Sequence, residues 1–366
     1  MSEEQNNLEK TLKELDKKFG KGSVFIGSNA EEKFRSIQRW KVDSPLISYI
    51  LGGGIPKGRI IELYGPESSG KTTLATYLGK QVQGQGGRVA VIDAENSYDL
   101  EYARNVVGLN TDDIIFSQPD SGEQALEIAE TLAATGEVDY IIIDSVAALT
   151  PLAELEAEMG DQQMGLQARL MSKACRKMRN ILNTKDCTIV FINQIRMKIG
   201  VMYGNPETTP GGKALKFFTS IRLEVRKVEY ITKGKDDPTG IKSRLKSSKN
   251  KTAPPFRKGE FVIDFSKGID PTTEYVDFAV QYNIIEKSGS WYSYNGDRLG
   301  QGKDNVVNEL LENEKLFDEI KDKVNNYLYP KKEDEKPVPK KRGPKPKKEE
   351  PTVELNSNEK EKKDDK

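Results

Sequence analysis

Apolar positions change their rhythm several times along the chain, and each change marks an element. Residues 5–19, QNNLEKTLKELDKKF, set leucines at helical spacing among charges, which predicts a short amphipathic helix. GKGSVFIG follows as a turn and a strand. From residue 36 short Ile- and Val-rich runs take over: RIIELYG (59–65), RVAVIDA (88–94), VDYIIID (138–144) and CTIVFIN (187–193). Each is separated from the next by enough chain for a crossover helix. SGEQALEIAETLAAT (121–135) is one such helix, with Ser121 as its N-cap. Runs buried on both faces and alternating with helices imply an α/β fold with a mainly parallel sheet. FTSIRLEVRKVEYI and GEFVIDFS alternate with period two and read as antiparallel or edge strands. A further compact unit is expected over 269–330, closed by the helix VVNELLENEKLFDEIKDKVNNYLY. Beyond 331 the chain is Lys, Glu, Pro and Asp with few apolar residues, the composition of a disordered tail. The expected units are an N-terminal helix and strand for subunit contact (1–35), a large core (36–268), a small C-terminal α+β unit (269–330) and the tail (331–366).

Composition narrows the chemistry. The 366 residues are 36% hydrophobic and 31% charged, with 57 Lys+Arg balancing 57 Asp+Glu. That balance argues against a uniformly basic nucleic-acid binder, so charge has to be read by position. No window is long and apolar enough to span a membrane, and MSEEQNNLEK lacks a signal-peptide pattern, so a cytoplasmic setting is expected. Two cysteines cannot supply a disulfide framework or a zinc site. The count of histidines is zero. Ser-His-Asp and Cys-His machinery are therefore excluded, and any general base is a carboxylate, lysine or tyrosine.

GPESSGKT, from Gly65 to Thr72, fits the phosphate-loop pattern, and its context is right: RIIELY precedes it and TTLATYLGKQV follows as a helix. The backbone N–H groups of Gly65, Pro66, Glu67, Ser68, Ser69 and Gly70 (proline excepted) would cradle phosphates at a helix N-terminus. Lys71 would reach the β- and γ-phosphates, and the hydroxyl of Thr72, followed by Thr73, would ligate Mg²⁺. Asp144 ends its strand where such enzymes hold the metal. Asp93 and Glu95 end another strand. Glu95 would polarise the attacking water, or else cap the next helix. Asp99 and Tyr102, one helical turn apart, would face a base or simply line a surface helix.

Taken together, GPESSGKTTL, DAE, DSVAALTP, EMGDQQMGLQARLMS and FINQIRMKIGVMYGNPETTPGGKALKFF resemble the bacterial RecA-type recombinases, over about residues 5–330. The resemblance implies an ATPase that uses ATP and Mg²⁺. It also implies polymerisation on single-stranded DNA, nucleotide held between neighbouring subunits, and strand exchange with homologous duplex. Carried onto this chain, Glu95 acts on water, Asp144 supports the metal, Gln194 senses the γ-phosphate, and Tyr102 and Asp99 meet adenine. Lys249 and Lys251, in SSKNKTAPPF, match lysines that reach the ATP of the adjacent subunit. The family also assists self-cleavage of a repressor, which no residue pattern here decides. The alternatives are a RecA-core motor or repair ATPase without strand exchange, a small-molecule phosphotransferase, and a non-catalytic DNA-coating protein.

Two aperiodic stretches would meet DNA. EAEMGDQQMG (156–165) leads into a helix with Arg169, Lys173 and Arg176 on related faces. QIRMKIGVMYGNPETTPGGK, from Gln194 to Lys213, mixes cations with aliphatic residues. Arg196 and Lys198, with the backbone at Gly211 and Gly212, would hold phosphates, while Met164, Ile199 and Met202 wedge between bases. The plain alternative is a flexible surface loop. The chain departs from the family it resembles at Asn96, Ser97 and Tyr98, at Pro210 and Lys213, and in KKRGPKPKK (340–348), which reads as a duplex-gripping segment or a solubilising linker.

Overall fold

The computed structural model describes residues 3–20, 24, 37–158, 165–182, 184–198, 200, 204, 206–232 and 237–329. The predicted strand near residue 25, the loop tip at Met164, Ile199 and Met202, and the tail lie outside the described residues. The first helix, α1, runs Glu3–Phe19 as its leucine spacing requires. Its Leu8 and Phe19 remain exposed.

Nine strands form the central sheet: β1 (Ile60–Gly65), β2 (Val89–Asp93), β3 (Ile115–Ser117), β4 (Tyr140–Asp144), β5 (Thr188–Gln194), β6 (Ile221–Thr232), β7 (Pro238–Asn250), β8 (Lys258–Asp264) and β9 (Gly268–Ile269). Their order is β9-β8-β7-β6-β1-β5-β4-β2-β3. From β6 to β3 every pairing is parallel, and β7, β8 and β9 add antiparallel strands beyond. The predicted strand FTSIRLEVRKVEYI is thus not an edge. Residues Ile221–Glu224 pair in parallel with β1 while the whole strand pairs antiparallel with β7. The clean alternation lies in its inner half, Ile221–Arg226, where buried and half-buried residues take turns, while the outer half is mostly exposed.

Period-two alternation sorts each central strand into two cores. Ile61, Leu63, Val91, Ile142 and Val190 pack with α2 (Pro45–Leu51) and α3 (Lys71–Gln83) on one face. Ile60, Ile92, Ile141, Ile143 and Phe191 pack on the other with α4 (Gly122–Thr135), α5 (Leu166–Leu182) and α6 (Gly212–Phe218). Ser121 caps α4 as expected, its side chain accepting from the Gln124 N–H at 3.2 Å.

A third core, with Tyr275, Ile285, Tyr292, Val306, Phe317 and Ile320, joins α7 (Thr272–Gln281), the hairpins β10 (Glu286–Ser288), β11 (Trp291–Tyr294) and β12 (Asp297–Gln301), α8 (Lys303–Glu312) and α9 (Glu314–Leu328). The predicted closing helix is two helices. Asn313 breaks it because its side chain accepts from the Leu316 N–H at 3.2 Å and starts α9 afresh. Among the described residues no helix is long and apolar enough to cross a membrane.

Candidate functional site

The C-terminal ends of the adjacent parallel strands β1, β5, β4 and β2 meet at one edge of the sheet, where open α/β sheets place their ligands. β1 ends at Gly65, whose backbone lies so near β6 that a Cβ would fall 1.9 Å from the Val225 carbonyl oxygen. Gly70 has φ +89, the left-handed region, and turns the chain into α3. Pro66, Glu67 and Ser68 are exposed, whereas Ser69 and Lys71 are buried. The Ser69 hydroxyl and the Lys71 ammonium both donate to the Pro66 carbonyl, at 2.8 and 2.6 Å. Burial lowers the Lys71 pKa, and the nearby carboxylates of Asp144, Glu95 and Glu67 oppose that shift.

Thr72 donates its hydroxyl to Asp144 Oδ2 at 2.6 Å. Burial pushes the Asp144 carboxyl up to about 6, because charge there is desolvated. This hydroxyl and carboxylate are hard oxygen donors, the kind that suits Mg²⁺. Among the described residues no cluster of three or more His, Cys, Asp or Glu could enclose a metal alone. A magnesium ion here would complete its shell with phosphate and water, as that ion does with nucleotides.

Glu95 stands beside this pair. Its Oε1 accepts from Gln194 Nε2 at 3.1 Å and from the Ser145 hydroxyl. The Asp144–Ser145 peptide is cis. The alternative in which Glu95 caps the next helix is overturned. Asp99 is the cap, its Oδ1 accepting from the Tyr102 N–H at 2.8 Å, since only Asp99 directly precedes Leu100–Tyr102. Asp93 accepts from the N–H groups of Ser97 and Tyr98, at 3.3 and 3.0 Å, and so folds the Asn96–Tyr98 turn. The Tyr98 hydroxyl meets Thr76 Oγ1 at 2.8 Å, and the Tyr102 hydroxyl lies 3.4 Å from Thr73 Oγ1. Of the unusual Asn96-Ser97-Tyr98 run, Tyr98 packs against α3, while Asn96 and Ser97 are exposed.

Lys249 and Lys251 lie elsewhere. Lys249 is in register with Arg222, which is in register with Glu62, so it sits toward the opposite end of the parallel strands from the phosphate loop. Its ammonium donates to the Lys216 and Phe217 carbonyls at the end of α6, at 2.6 and 3.2 Å. Burial, then the charges of Lys251 and Arg222, bring its pKa down to about 8. Lys251 lines a cavity of about 410 Å³ with Arg59, Arg179 and Phe217.

On the other flank, Arg169, Lys173 and Arg176 are all exposed on α5, spaced to share a face. Arg196 and Lys198 are exposed, and Arg196–Met197 pairs with Glu207–Thr208 as a short hairpin. The return of this loop is held tightly. Gly211 (φ +82) and Gly212 (φ +73) are left-handed, and a Cβ on Gly212 would meet the Ala168 side chain at 2.8 Å. The Gly211 N–H donates to Gln167 Oε1 at 3.2 Å, and the Pro210 carbonyl accepts from Asn193 Nδ2 at 3.2 Å. Lys213 is exposed in the first turn of α6.

The structure thus brings Lys71, Thr72, Asp144, Glu95 and Gln194 together, with Tyr102 near Thr73, and leaves Lys249 and Lys251 apart. Sequence reasoning missed Ser145, Gln167, Asn193 and Ser243, whose hydroxyl donates to the Ser69 carbonyl at 2.9 Å. Ser145 and Asn193 had a signal, since each adjoins a residue already singled out.

The RecA N-terminal domain family model matches residues 6–270, and the RecA C-terminal domain model matches residues 273–329. The chain is 51% identical over 329 residues to Protein RecA of Staphylococcus carnosus, covering 89% of this chain and 91% of that protein. It is 52% identical over 328 residues to Protein RecA of Ehrlichia canis, covering 89% and 90%. Protein RecA of Geobacter sulfurreducens matches at 50% over 323 residues, covering 88% and 95%. With both domain models matched in order and half the residues identical across nine-tenths of its length, the chain belongs to the RecA family.

Proposed function

We propose that this chain is a DNA-dependent ATPase that polymerises on single-stranded DNA and pairs and exchanges that strand with homologous duplex in recombinational repair. The observation that carries the reading is the hydrogen bond from Gln194 Nε2 to Glu95 Oε1 at 3.1 Å. Glu95 is the carboxylate suited to orient and polarise water in a chain without histidine. Gln194 is the last residue of β5 before the segment bearing Arg196 and Lys198. A single contact therefore joins the hydrolytic carboxylate to the proposed DNA-binding loop. With a γ-phosphate present, Gln194 has two competing acceptors, and its choice would set how freely Glu95 addresses water.

Lys71 and the loop amides would hold the β- and γ-phosphates, and Tyr102 with Asp99 the adenine. Thr72 and Asp144 would hold Mg²⁺, which would neutralise charge on the phosphate oxygens. Lys249 and Lys251 would serve the nucleotide of an adjacent subunit, because their own lies beyond the far end of the sheet. Residues 1–35 would supply part of the subunit contact, which suits the exposed Leu8 and Phe19 on α1. Arg169, Arg176, Arg196 and Lys198 would bind backbone phosphates without reading bases, as a search for homology demands. A self-cleaving repressor is a further partner this reading carries.

ATP turnover with and without single-stranded DNA, followed by pairing of a labelled strand with homologous duplex, tests the proposal. Turnover should rise with DNA, and Arg196→Ala should keep nucleotide binding while losing most of that rise. Turnover indifferent to DNA would sink it.

A further inference from the structure

In the middle of β1, on the face of the sheet covered by α5 and α6, stands a fully buried carboxylate, Glu62, at 0% exposure. A charge in such a place is costly unless every oxygen is satisfied. Its Oε2 accepts from Arg222 Nε at 2.5 Å, and its Oε1 accepts from Asn193 Nδ2 at 3.0 Å. The same Asn193 amide reaches two more places. Its Nδ2 donates to the Pro210 carbonyl at 3.2 Å, where the 195–210 segment returns, and its Oδ1 accepts from the Gln194 N–H at 3.0 Å. Arg222 lies 4.5 Å over the Tyr64 ring, and its charge helps lower the pKa of Lys249, the lysine resting on the end of α6. Both ends of the 195–210 segment and the lysine edge of the sheet thus converge on one carboxylate. An apolar side chain would fill the position at less desolvation cost but would connect none of them.

We infer that Glu62 is a positioning residue: through Asn193 it fixes the start and return of the 195–210 segment relative to Gln194, and through Arg222 it ties that segment to the Lys249 edge. The inference rests on the DNA-dependent ATPase reading. Glu62 touches no reacting atom; it sets where Gln194 and Pro210 stand when DNA arrives.

Glu62→Gln tests this, because its single acceptor oxygen must serve two donors and its amide presents a hydrogen to another. The concentration of single-stranded DNA giving half-maximal ATP turnover should rise about tenfold, the scale of one lost charged, buried hydrogen bond. Nucleotide affinity without DNA should stay within about twofold, since Glu62 holds Asn193 and Arg222, whereas Lys71 and Thr72 are held by Pro66 and Asp144. Glu62→Asp, which keeps the charge and both oxygens, should recover at least half of the loss. In DNA-free protein, amides over 211–218 should exchange about tenfold faster in Glu62→Gln than in wild type, with the thermal midpoint confirming a folded chain. Wild-type half-saturation together with wild-type exchange would overturn the inference, and so would equal loss of nucleotide affinity in both variants. If wild-type turnover ignores DNA while exchange over 211–218 still accelerates, the positioning role stands and the DNA-dependence falls.

Discussion

Two lysines toward opposite ends of one sheet sit in opposite electrostatic settings, as the proposal of one whole site and one half site would require. Lys71 is buried among carboxylates: burial lowers its pKa, but Asp144, Glu95 and Glu67 push back. Its charge has partners within the same chain. Lys249 is also desolvated, yet its neighbours Lys251 and Arg222 are cations, and only Glu62 opposes them. It makes do with the carbonyls that end α6. The first environment is electrostatically satisfied in an isolated subunit, and the second gains most when an anion comes from outside. The cavity beside Lys251, with Arg59 and Arg179 on its walls, has the same bias. On the proposed reading, that outside anion is the nucleotide of an adjacent subunit.

The sharpest test of the contrast is to remove each lysine. Lys71→Ala should abolish DNA-stimulated turnover, by at least about 10³-fold, and weaken nucleotide binding in dilute subunits too. Lys249→Met should cost roughly 10²-fold in assembled turnover while leaving the binding of nucleotide by dilute, DNA-free subunits within about twofold. Should Lys249→Met weaken that dilute binding as Lys71→Ala does, the division into whole and half sites is wrong.

A pH series sharpens the same point. With its pKa near 8 in the free subunit, Lys249 sheds its proton well before an ordinary lysine. Raising the pH from about 7 to about 9 should therefore reduce assembly-coupled turnover several-fold at limiting nucleotide, and Lys249→Arg should flatten the fall. The stability of the free subunit should move the other way. The folded state binds fewer protons than the unfolded one above about pH 8, so stability rises toward the usual lysine pKa.

The smallest effect concerns a buried carboxyl with no cation. Glu274 accepts from the Ser44 hydroxyl at 2.5 Å and the Leu46 N–H at 3.2 Å, its other oxygen has no hydrogen-bond partner among the described residues, and burial pushes it up to about 8. Its folded pKa is raised, so the folded state holds the extra proton between about 4.5 and 8, and stability should fall across that window by at most about 1.4 kcal/mol per unit. Glu274→Gln should melt higher than wild type near pH 8 and equally near pH 5; a pH-independent difference would refute this assignment.

What could be read from the sequence was what is local. The phosphate loop, the four parallel strands and Ser121 all carry their signal within a few residues. Strand β7 does not. Its inward positions include Ser243 and Ser247, both fully buried, so no apolar rhythm marks it, although Ser243 steadies the phosphate loop. Lys249 carries no local signal apart from the family resemblance, because its setting depends on Arg222, distant in sequence and adjacent by register. Glu62 was invisible for the same reason: inside an apolar strand it reads as an interruption until Asn193 and Arg222 are brought beside it. Pro210, unexplained from sequence, uses its carbonyl rather than its ring, and nothing in the structure explains Lys213.

One register pair has a mechanical consequence. Gly65 and Gln194 lie side by side on β1 and β5, one strand spacing apart. The origin of the phosphate loop and the origin of the proposed DNA-facing segment are thus graduations on a single rigid rule, about 4.8 Å apart. Whatever the segment beyond Gln194 does on meeting DNA, that baseline stays constant. A change at the nucleotide can then be gauged against a fixed mark, and small displacements of one side chain suffice as a message.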